Sequence, residues 1–310
     1  MNEIRRDYLL DRYVIVAENR GKRPYDYIQK APPAKEKEGT CVFCPGNEHL
    51  TPPETGRIGG KGSKWLARAF YNKYPAVSPE FPKALGRHEV LVETPKHVAK
   101  MAALPEEQIA IGLELYAKRV HELYAEKGVA CALIFKNEGA AAGISLTHTH
   151  SQLIALASAP RLVAEELKQY GEYRRKEKAC PYCEVAEREG KSARKAFENE
   201  EFLAIAPYAS RTPFELLILP KSHLANITEL GEEERLLLAR ILKKSLARLD
   251  KMLNGPAFNY YLHIQPKGKD FHFHMELLPR LAIWAGFELG SGMYINPVAP
   301  EAAAKAYRGD

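Results

Sequence analysis

The chain has 310 residues, of which 45% are hydrophobic and 27% are charged, a composition that excludes a disordered or fibrous protein. Its 45 basic and 39 acidic side chains leave a formal charge of +6, which suits an anionic ligand but is too small to predict a nucleic-acid-binding surface. No run approaches the roughly 18 apolar residues that cross a membrane, and residues 1–6 lack the apolar core of a secretory signal. We therefore expect a cytoplasmic protein of roughly two domains with no membrane partner.

The predicted elements of the first half follow two cysteines, at positions 41 and 44. An extended run covers residues 88–97, a helix covers about 105–128, and a strand covers about 129–136. The helix is predicted from apolar residues that recur every three to four positions, from acidic residues in its first turn, and from a glycine just past its end. The series ends at residues 148–155, a predicted strand that contains two alternate histidines.

The second half repeats this order after its own pair of cysteines, at positions 180 and 183. Its extended run covers residues 214–223, its helix covers about 231–253, and its strand covers 258–264. Two alternate histidines follow here as well, within residues 272–277. Between the two halves, residues 158–179 form a charged run that is predicted to be helical.

The spacing of the histidines supports a duplication. His97 and His148 are 51 residues apart in the first half, and His223 and His272 are 49 residues apart in the second. Agreement in element order, helix length and spacing is improbable by chance, so we predict an α+β fold of two tandem units. Each unit has a mostly antiparallel sheet with flanking helices. The predicted domains are residues 1–160 and residues 161–310.

Four of the five cysteines form two Cys-x-x-Cys pairs. Structural disulfides are not expected in a chain without an export signal, and two distant pairs do not resemble a thioredoxin-type redox site. Zinc suits this spacing, and each pair can complete a closed tetrahedral site with two histidines of the repeat. Iron in one of the sites is an open alternative. The predicted ligand sets are Cys41, Cys44, His97 and His148 for the first site, and Cys180, Cys183, His223 and His272 for the second.

The strand that begins at His148 carries the residues to which we assign chemistry. Because alternate side chains of a strand share a face, His148, His150 and Gln152 point one way, while Thr149 and Ser151 point the other. A metal on His148 would fix its backbone and hold the His150 imidazole in one pose, from which it can act as a covalent nucleophile. Gln152 can then donate a hydrogen bond to an oxygen of the group under attack.

A run of small residues, 137–145, precedes this strand. Glycines such as Gly143 let the backbone approach a ligand closely, and the backbone amides and the Ser145 hydroxyl could bind phosphate oxygens. The run is also typical of a plain turn between strands. Its position directly before the two histidines favours the ligand-binding interpretation.

Residues 135–152 resemble the active-site signature of the galactose-1-phosphate uridylyltransferase family, which belongs to the histidine-triad superfamily. The usual family motif reads His-Pro-His-Gly-Gln, whereas this chain has Thr149 and Ser151 in place of Pro and Gly. The tail from Gly290 and the second Cys-x-x-Cys pair are more similar to a branch that includes ADP-glucose phosphorylases, whereas other members build the second site from Glu and His ligands. Further matches lie in order at residues 11–16, 18–24, 41–46, 72–76, 93–97 and 286–288.

The resemblance implies a ping-pong transfer of UMP from UDP-glucose to galactose 1-phosphate through a covalent uridylyl-His150 intermediate. It also implies a homodimer whose active site lies near the subunit interface. Gln152 and Ser145 would contact the transferred phosphoryl group, with Asn137 nearby. Other substrate-binding roles would fall to Arg20 and Arg23 for phosphate charge, Asn72 for the nucleotide pocket, and Phe287 and Glu288 for the hexose.

Three other functions are open at this point. The same His150 could transfer AMP between ADP-glucose and phosphate, or water could resolve the intermediate, as in a histidine-triad hydrolase. A non-catalytic zinc module that binds nucleic acid is the third, and the balanced charge argues against it.

In the second half, Glu276 occupies the position of Gln152, and a carboxylate would repel a phosphate. We therefore assign that half a structural metal and part of the sugar pocket, with no second reaction centre.

Overall fold

The computed structural model describes residues 2–22, 41–144 and 146–310. Within these residues, none of the helices is both long and apolar enough to cross a membrane. The same residues form thirteen strands and six α-helices. In chain order these are β1 (Glu3–Arg6), β2 (Tyr13–Val16), β3 (Glu54–Gly59), β4 (Trp65–Tyr71), β5 (Gly86–Val92), α1 (Glu106–Ala125), β6 (Cys131–Glu138), β7 (His150–Leu156), α2 (Arg161–Glu177), α3 (Pro181–Glu189), β8 (Lys195–Glu198), β9 (Phe202–Ile205), β10 (Leu216–Pro220), α4 (Glu232–Leu253), β11 (Phe258–His263), β12 (His274–Pro279), α5 (Gly286–Ser291), β13 (Tyr294–Asn296) and α6 (Pro300–Arg308).

Ten of the strands make one antiparallel sheet, in the order β3-β4-β5-β7-β6-β11-β12-β10-β9-β8. Read from its outer edge, each half has the same order, because β3-β4-β5-β7-β6 matches β8-β9-β10-β12-β11. The predicted α+β class with mostly antiparallel strands is confirmed, and the repeated order agrees with the predicted duplication. The division at residues 160 and 161 stays a prediction. A small second sheet joins β1, β2 and β13.

The two halves meet where β6 pairs with β11. Asn259 lies opposite Asn137 and Tyr261 lies opposite Phe135 in this antiparallel pairing. Directly opposed residues of a sheet point to the same face. The seam therefore brings side chains of the second half next to the small-residue run of the first.

The two long helices pack on one face of the sheet. α1 has two glutamates in its first turn, and its buried residues, among them Ile109, Tyr116 and Leu123, recur at helical spacing. α4 buries Leu238, Leu242 and its other apolar positions in the same way, and both helices belong to the main hydrophobic core. The predicted bounds of these two helices are confirmed to within three residues at each end.

The opposite face of the sheet is covered differently in the two halves. In the second half, α2 and α3 cover it and contribute Tyr170 and Tyr182 to a separate apolar cluster. In the first half, the cover comes from the segment around the first Cys-x-x-Cys pair, with Phe43 packed near Trp65 and Phe70. This asymmetry leaves the first half with the more accessible histidine.

Candidate active site and metal centres

His150 begins β7, which lies between β5 and β6. Val92 pairs with His150 on one side, and Phe135 pairs with Gln152 on the other. The nucleophile predicted from the sequence therefore lies within the sheet, where both neighbouring strands constrain its backbone.

The geometry of His150 determines which ring nitrogen can react. Its Nδ1 lies 2.8 Å from the carbonyl oxygen of His148, and since a carbonyl can only accept, Nδ1 carries the hydrogen. Nε2 then carries the lone pair, and no described residue makes a hydrogen bond with it. Burial lowers the pKa of His150, which keeps the imidazole neutral. The side chain of Phe43 lies against the ring, with centroids 5.1 Å apart.

The first predicted metal group comes together. The ligand atoms of Cys41, Cys44, His97 and His148 lie within 4.8 Å of one another. His148 Nδ1 is 3.7 Å from each sulfur, and His97 Nδ1 is 3.4 Å from Cys44 Sγ. A tetrahedral site with bonds of about 2.0–2.3 Å has edges of roughly 3.5 Å, so the donor set fits a metal of this type.

The rest of the His148 ring is also engaged. Its Nε2 donates to the carbonyl oxygen of Thr94 at 2.8 Å, which fixes the ring orientation as in many metal-ligating histidines. Burial lowers the pKa of His148 to about 4, so the imidazole is neutral, as metal binding requires. A metal here would tie the Cys-x-x-Cys segment to the strand that carries His150.

The second predicted metal group repeats this arrangement. Cys180, Cys183, His223 and His272 also have ligand atoms within 4.8 Å of one another. His272 Nδ1 lies 3.4 and 3.5 Å from the two sulfurs, and its Nε2 donates to a backbone carbonyl at 3.2 Å. His223 Nε2 faces a carboxylate oxygen of Asp270 at 3.2 Å. Both halves therefore use a Cys₂His₂ donor set with oriented rings.

A third group of potential ligands, which sequence reasoning did not find, lies beside the second. Glu166 of α2, His263 of β11 and His274 of β12 also bring their ligand atoms within 4.8 Å. His263 Nε2 is buried without a hydrogen-bond partner, and its Nδ1 donates to Glu166 at 2.7 Å. Burial opposes protonation, but Glu166 and Glu276 raise the pKa of His263 to about 10. The structure thus contains both a Cys₂His₂ group and a Glu-His group in this half.

The position that corresponds to His150 in the second half is closed. His274 has 1% of its surface exposed, whereas His150 has 8%. The His263 ring stacks on His274 with centroids 4.1 Å apart, and the Tyr182 ring lies against it, tilted by 33°, at 4.4 Å. Glu276 forms an ion pair with the buried Arg211 and accepts a hydrogen bond from Tyr261. The absence of a second reaction centre in this half stays a prediction.

Gln152 contacts two polar side chains of the first half. Its Oε1 lies 2.9 Å from Nε2 of His88 on β5 and 3.4 Å from Nδ2 of Asn72. Asn72, which the resemblance places in the nucleotide pocket, is therefore next to the predicted phosphoryl-binding residue. His88 was not identified from the sequence.

Asn137 and Gly143 lie together at the end of β6. A Cβ atom on Gly143 would stand 4.0 Å from Asn137 Nδ2, and the positive φ of +90° at this position favours glycine. Asn259 Nδ2 donates to Asn137 Oδ1 at 2.8 Å and to the carbonyl oxygen of Ala142 at 3.1 Å. The second half therefore supports the small-residue run directly.

On the opposite face of β7, the two hydroxyls that replace Pro and Gly of the family motif bind a buried carboxylate. Thr149 Oγ1 donates to Glu93 at 2.8 Å, and Ser151 Oγ donates to it at 2.5 Å. Lys136 Nζ lies 2.6 Å from Glu93 and donates to the carbonyl oxygen of His150 at 3.0 Å. Burial raises the pKa of Glu93, but Lys136 and the hydroxyl donors hold it below its usual value.

Three other predicted binding residues are described, but no described contact links them to His150. Phe287 and Glu288 lie on α5, and no described hydrogen bond, ion pair or ring contact joins either to His150. Arg20 lies in a 3₁₀ turn after β2, also without a described contact to His150. Arg23 and Ser145 lie outside the described residues.

Comparison with known protein families shows which family the chain belongs to. Residues 1–160 match the family model described as galactose-1-phosphate uridyl transferase, N-terminal domain. The chain belongs to the galactose-1-phosphate uridylyltransferase family. It is a nucleotidyltransferase of that family. Residues 179–279 match a second model, described as scavenger mRNA decapping enzyme C-term binding.

Relatives from the family cover nearly the whole chain. An ADP-glucose phosphorylase from Arabidopsis thaliana is 33% identical over 328 residues, which cover 99% of this chain and 92% of the relative. A galactose-1-phosphate uridylyltransferase from Thermotoga maritima is 31% identical, with 99% and 98% covered. The crystal structure of an Arabidopsis ADP-glucose phosphorylase with bound ADP-glucose aligns with a TM-score of 0.89, 31% identity, and coverage of 100% of this chain and 99% of that one.

Proposed function

We propose that the protein transfers a nucleoside monophosphate from a nucleoside-diphosphate hexose to a phosphate-bearing acceptor through His150. The geometry of this histidine carries the proposal. Its Nδ1–H is engaged by the His148 carbonyl, so the lone pair of Nε2 is directed away from the backbone and free to react. The neutral state of the ring keeps that lone pair available near neutral pH.

The chemistry needs two displacements at one phosphorus atom. In the first, His150 Nε2 bonds to the α-phosphorus while the bond to the bridging oxygen breaks, and the hexose 1-phosphate leaves with the electron pair. In the second, an oxygen of the acceptor phosphate bonds to that phosphorus, and the electron pair of the phosphorus–nitrogen bond returns to Nε2. Because each leaving group is stable as an anion or a neutral imidazole, no general base is required.

The His148 carbonyl supports the intermediate electrostatically. Phosphorylated imidazole carries a positive charge shared over the ring, and the Nδ1–H then donates a charge-assisted hydrogen bond. Gln152 Nε2 and Asn137 Nδ2 are amide donors on the same face of the sheet, where they can bind the oxygens of the transferred phosphoryl group.

For the substrates, the first candidate pair is UDP-glucose and galactose 1-phosphate, which would place the enzyme in galactose metabolism. The family model and the T. maritima relative support this pair. The second candidate is adenylyl transfer between ADP-glucose and phosphate. The specific observations in its favour are the Cys180/Cys183 group and the match over the whole chain to the ADP-glucose phosphorylase structure.

We propose zinc for the two Cys₂His₂ groups, with iron as the alternative in one of them. Sulfur–nitrogen separations of 3.4–3.7 Å support a tetrahedral metal in both. Four protein ligands leave no open coordination position, so the metal would stabilise the fold and orient His148 without contacting the phosphate.

We also propose a cytoplasmic homodimer with the active site near the subunit interface. The segment before and within α5 exposes three large apolar side chains, Ile283 at 93%, Leu289 at 75% and Phe287 at 46%. Exposed apolar residues grouped in this way favour a protein–protein contact. Phe287 and Glu288 would then meet the hexose only in the assembled dimer. Leu289→Glu should shift the native dimer toward monomer in light scattering.

Intact-mass spectrometry after incubation with UDP-glucose or ADP-glucose, separately and without acceptor, tests the function. A covalent UMP or AMP adduct identifies the nucleotide, and its disappearance on adding galactose 1-phosphate or phosphate identifies the acceptor. His150→Asn should form no adduct while keeping the native metal content and melting temperature. An adduct in that variant would contradict the assigned nucleophile. Release of free UMP or AMP without acceptor would indicate a hydrolase instead.

A further inference from the structure

Two amide side chains at the site, Gln152 and Asn137, have their oxygen atoms occupied by other residues. An amide end group can rotate by 180°, which exchanges its oxygen, an acceptor, with its NH₂ group, a donor. An NH₂ group that faces the substrate attracts a phosphate, whereas an amide oxygen in the same place repels it. In this protein, hydrogen bonds to backbone groups determine the orientation of both amides.

The orientation of Gln152 follows from two backbone N–H groups. Ala76 N–H donates to His88 Nδ1 at 3.0 Å, so His88 carries its hydrogen on Nε2 and donates it to Gln152 Oε1 at 2.9 Å. Tyr74 N–H donates to Asn72 Oδ1 at 2.8 Å, so Asn72 presents its NH₂ group to the same oxygen at 3.4 Å. This NH₂ group also lies 3.2 Å from His88 Nε2, so with this tautomer the two donors lie side by side at Gln152 Oε1. Burial lowers the pKa of His88, in keeping with a neutral ring that has one donor and one acceptor.

The orientation of Asn137 follows from a backbone carbonyl. Ala142 O can only accept, so the end of Asn259 that lies 3.1 Å from it is the NH₂ group. The same NH₂ group donates to Asn137 Oδ1 at 2.8 Å, across 122 residues of sequence. Asn137 Nδ2 is then the end that faces Gly143 and the small-residue run.

We infer that His88 and Asn259 are positioning residues that turn the Gln152 and Asn137 amides so that both present only N–H donors to the transferred phosphoryl group. The inference rests on the proposed nucleotidyl transfer and adds the residues that set its anion selectivity. Donors prearranged in this way need no reorientation when charge develops on the phosphoryl oxygens. A rotated amide would instead place an oxygen lone pair against those oxygens.

The test for His88 compares His88→Phe, which keeps a ring but donates nothing, with His88→Gln, which keeps a donor able to reach Gln152. Single-turnover adduct formation should fall about tenfold to a hundredfold in His88→Phe and stay within about fivefold of native in His88→Gln. Nucleotide affinity, measured with UDP or ADP by calorimetry, should change much less than the rate. His121→Phe, at an exposed site on α1, is the matched control and should retain native rates.

A double-mutant cycle separates positioning from general damage. In a Gln152→Ala background, His88→Phe should lower the rate by less than about twofold, because the amide it orients is absent. Asn259→Leu should behave in the same way toward Asn137→Ala. Multiplicative effects in both cycles, or an equal loss in His88→Gln and His88→Phe, would overturn the inference.

Two further outcomes keep this inference separate from the proposed function. A native protein that forms no adduct with either sugar nucleotide contradicts the proposed function itself. A native protein that forms the adduct, combined with multiplicative cycles, contradicts only the positioning roles. If His88→Phe has a lower melting temperature than native, the Asn259 cycle decides the matter, since it removes a hydrogen bond at a half-buried position in another strand.

Discussion

Replacing Lys136 by Met should strongly destabilise the protein, because it leaves the Glu93 carboxylate buried without its cation. Neither side chain is accessible, since Lys136 has 1% of its surface exposed and Glu93 has none. Their 2.6 Å ion pair lies directly beneath the strand that carries His150. Methionine has a similar length and no charge, so the substitution removes the ammonium group without opening a large cavity.

The expected loss of unfolding free energy follows from the hydrogen bonds that Glu93 keeps in the variant. Breaking a buried ion pair by removing one partner costs about 3–5 kcal/mol. Glu93 would keep three hydroxyl donors, from Thr149, Ser151 and Tyr116, which still solvate its charge in part. We therefore expect the lower end of the range, a fall of about 3 kcal/mol in the free energy of unfolding.

Urea denaturation followed by circular dichroism measures this loss. The matched control is Lys118→Met, which removes the same charge from an ion pair with Glu122 that is about 40% exposed on both sides. Exposed pairs of this kind contribute less than about 1 kcal/mol. Adding Glu93→Gln to Lys136→Met should recover part of the stability, since the double variant buries no unpaired charge.

Equal losses in Lys136→Met and Lys118→Met would refute the reasoning, as would a double variant no more stable than Lys136→Met alone. Either result would mean that water or a rearranged side chain compensates Glu93. The rate of adduct formation in Lys136→Met, measured well below the urea midpoint, should also fall, because the His150 carbonyl loses its Nζ donor.

Two other predictions concern the metal and pH. Cys41→Ser should lower the metal content and the melting temperature together. The control Cys131→Ser, at a buried cysteine outside the metal groups, should keep the native metal content. A Cys41→Ser protein with the native metal content would contradict the first ligand set. Burial raises the pKa of Glu138 to about 7 from 4.5, so the folded protein binds the protonated acid's hydrogen more tightly than the unfolded chain does. The contribution of Glu138 to the free energy of unfolding therefore rises as the pH falls from above 7 toward 4.5. Glu138→Gln should therefore stabilise the protein relative to native at pH 8, by about 3 kcal/mol at most, and much less at pH 5. A difference independent of pH would argue against the shifted carboxyl.

Much of the site could be predicted because its signals are local. The Cys-x-x-Cys pairs, the helices α1 and α4, and the alternation of His150 and Gln152 against Thr149 and Ser151 depend on residues a few positions apart. Such patterns follow from the repeat of a helix or strand and from the geometry of a metal ligand pair. The duplication added the histidines that complete each Cys₂His₂ group, since it supplied the same spacing twice.

The missed residues depend on contacts between distant segments. His88 lay within a predicted extended run, and its position on the same face as Gln152 became evident only when β5 paired with β7 in a particular register. Asn259 reaches Asn137 only because β11 pairs with β6, which joins the two halves into one sheet. No local sequence pattern predicts that β11 pairs with β6.

By itself, the sequence predicted the element order, the two Cys₂His₂ groups that the structure brings together, and the histidine to which transfer is assigned. Only the tertiary structure decided that His274 has 1% of its surface exposed while His150 has 8%, because α2 and α3 cover one half and the segment around the first Cys-x-x-Cys pair covers the other. It also decided which ends of the Gln152 and Asn137 amides face the site. Those choices depend on hydrogen bonds to backbone groups whose positions are set by long-range strand pairing, and strand pairing is a property of the whole buried sheet.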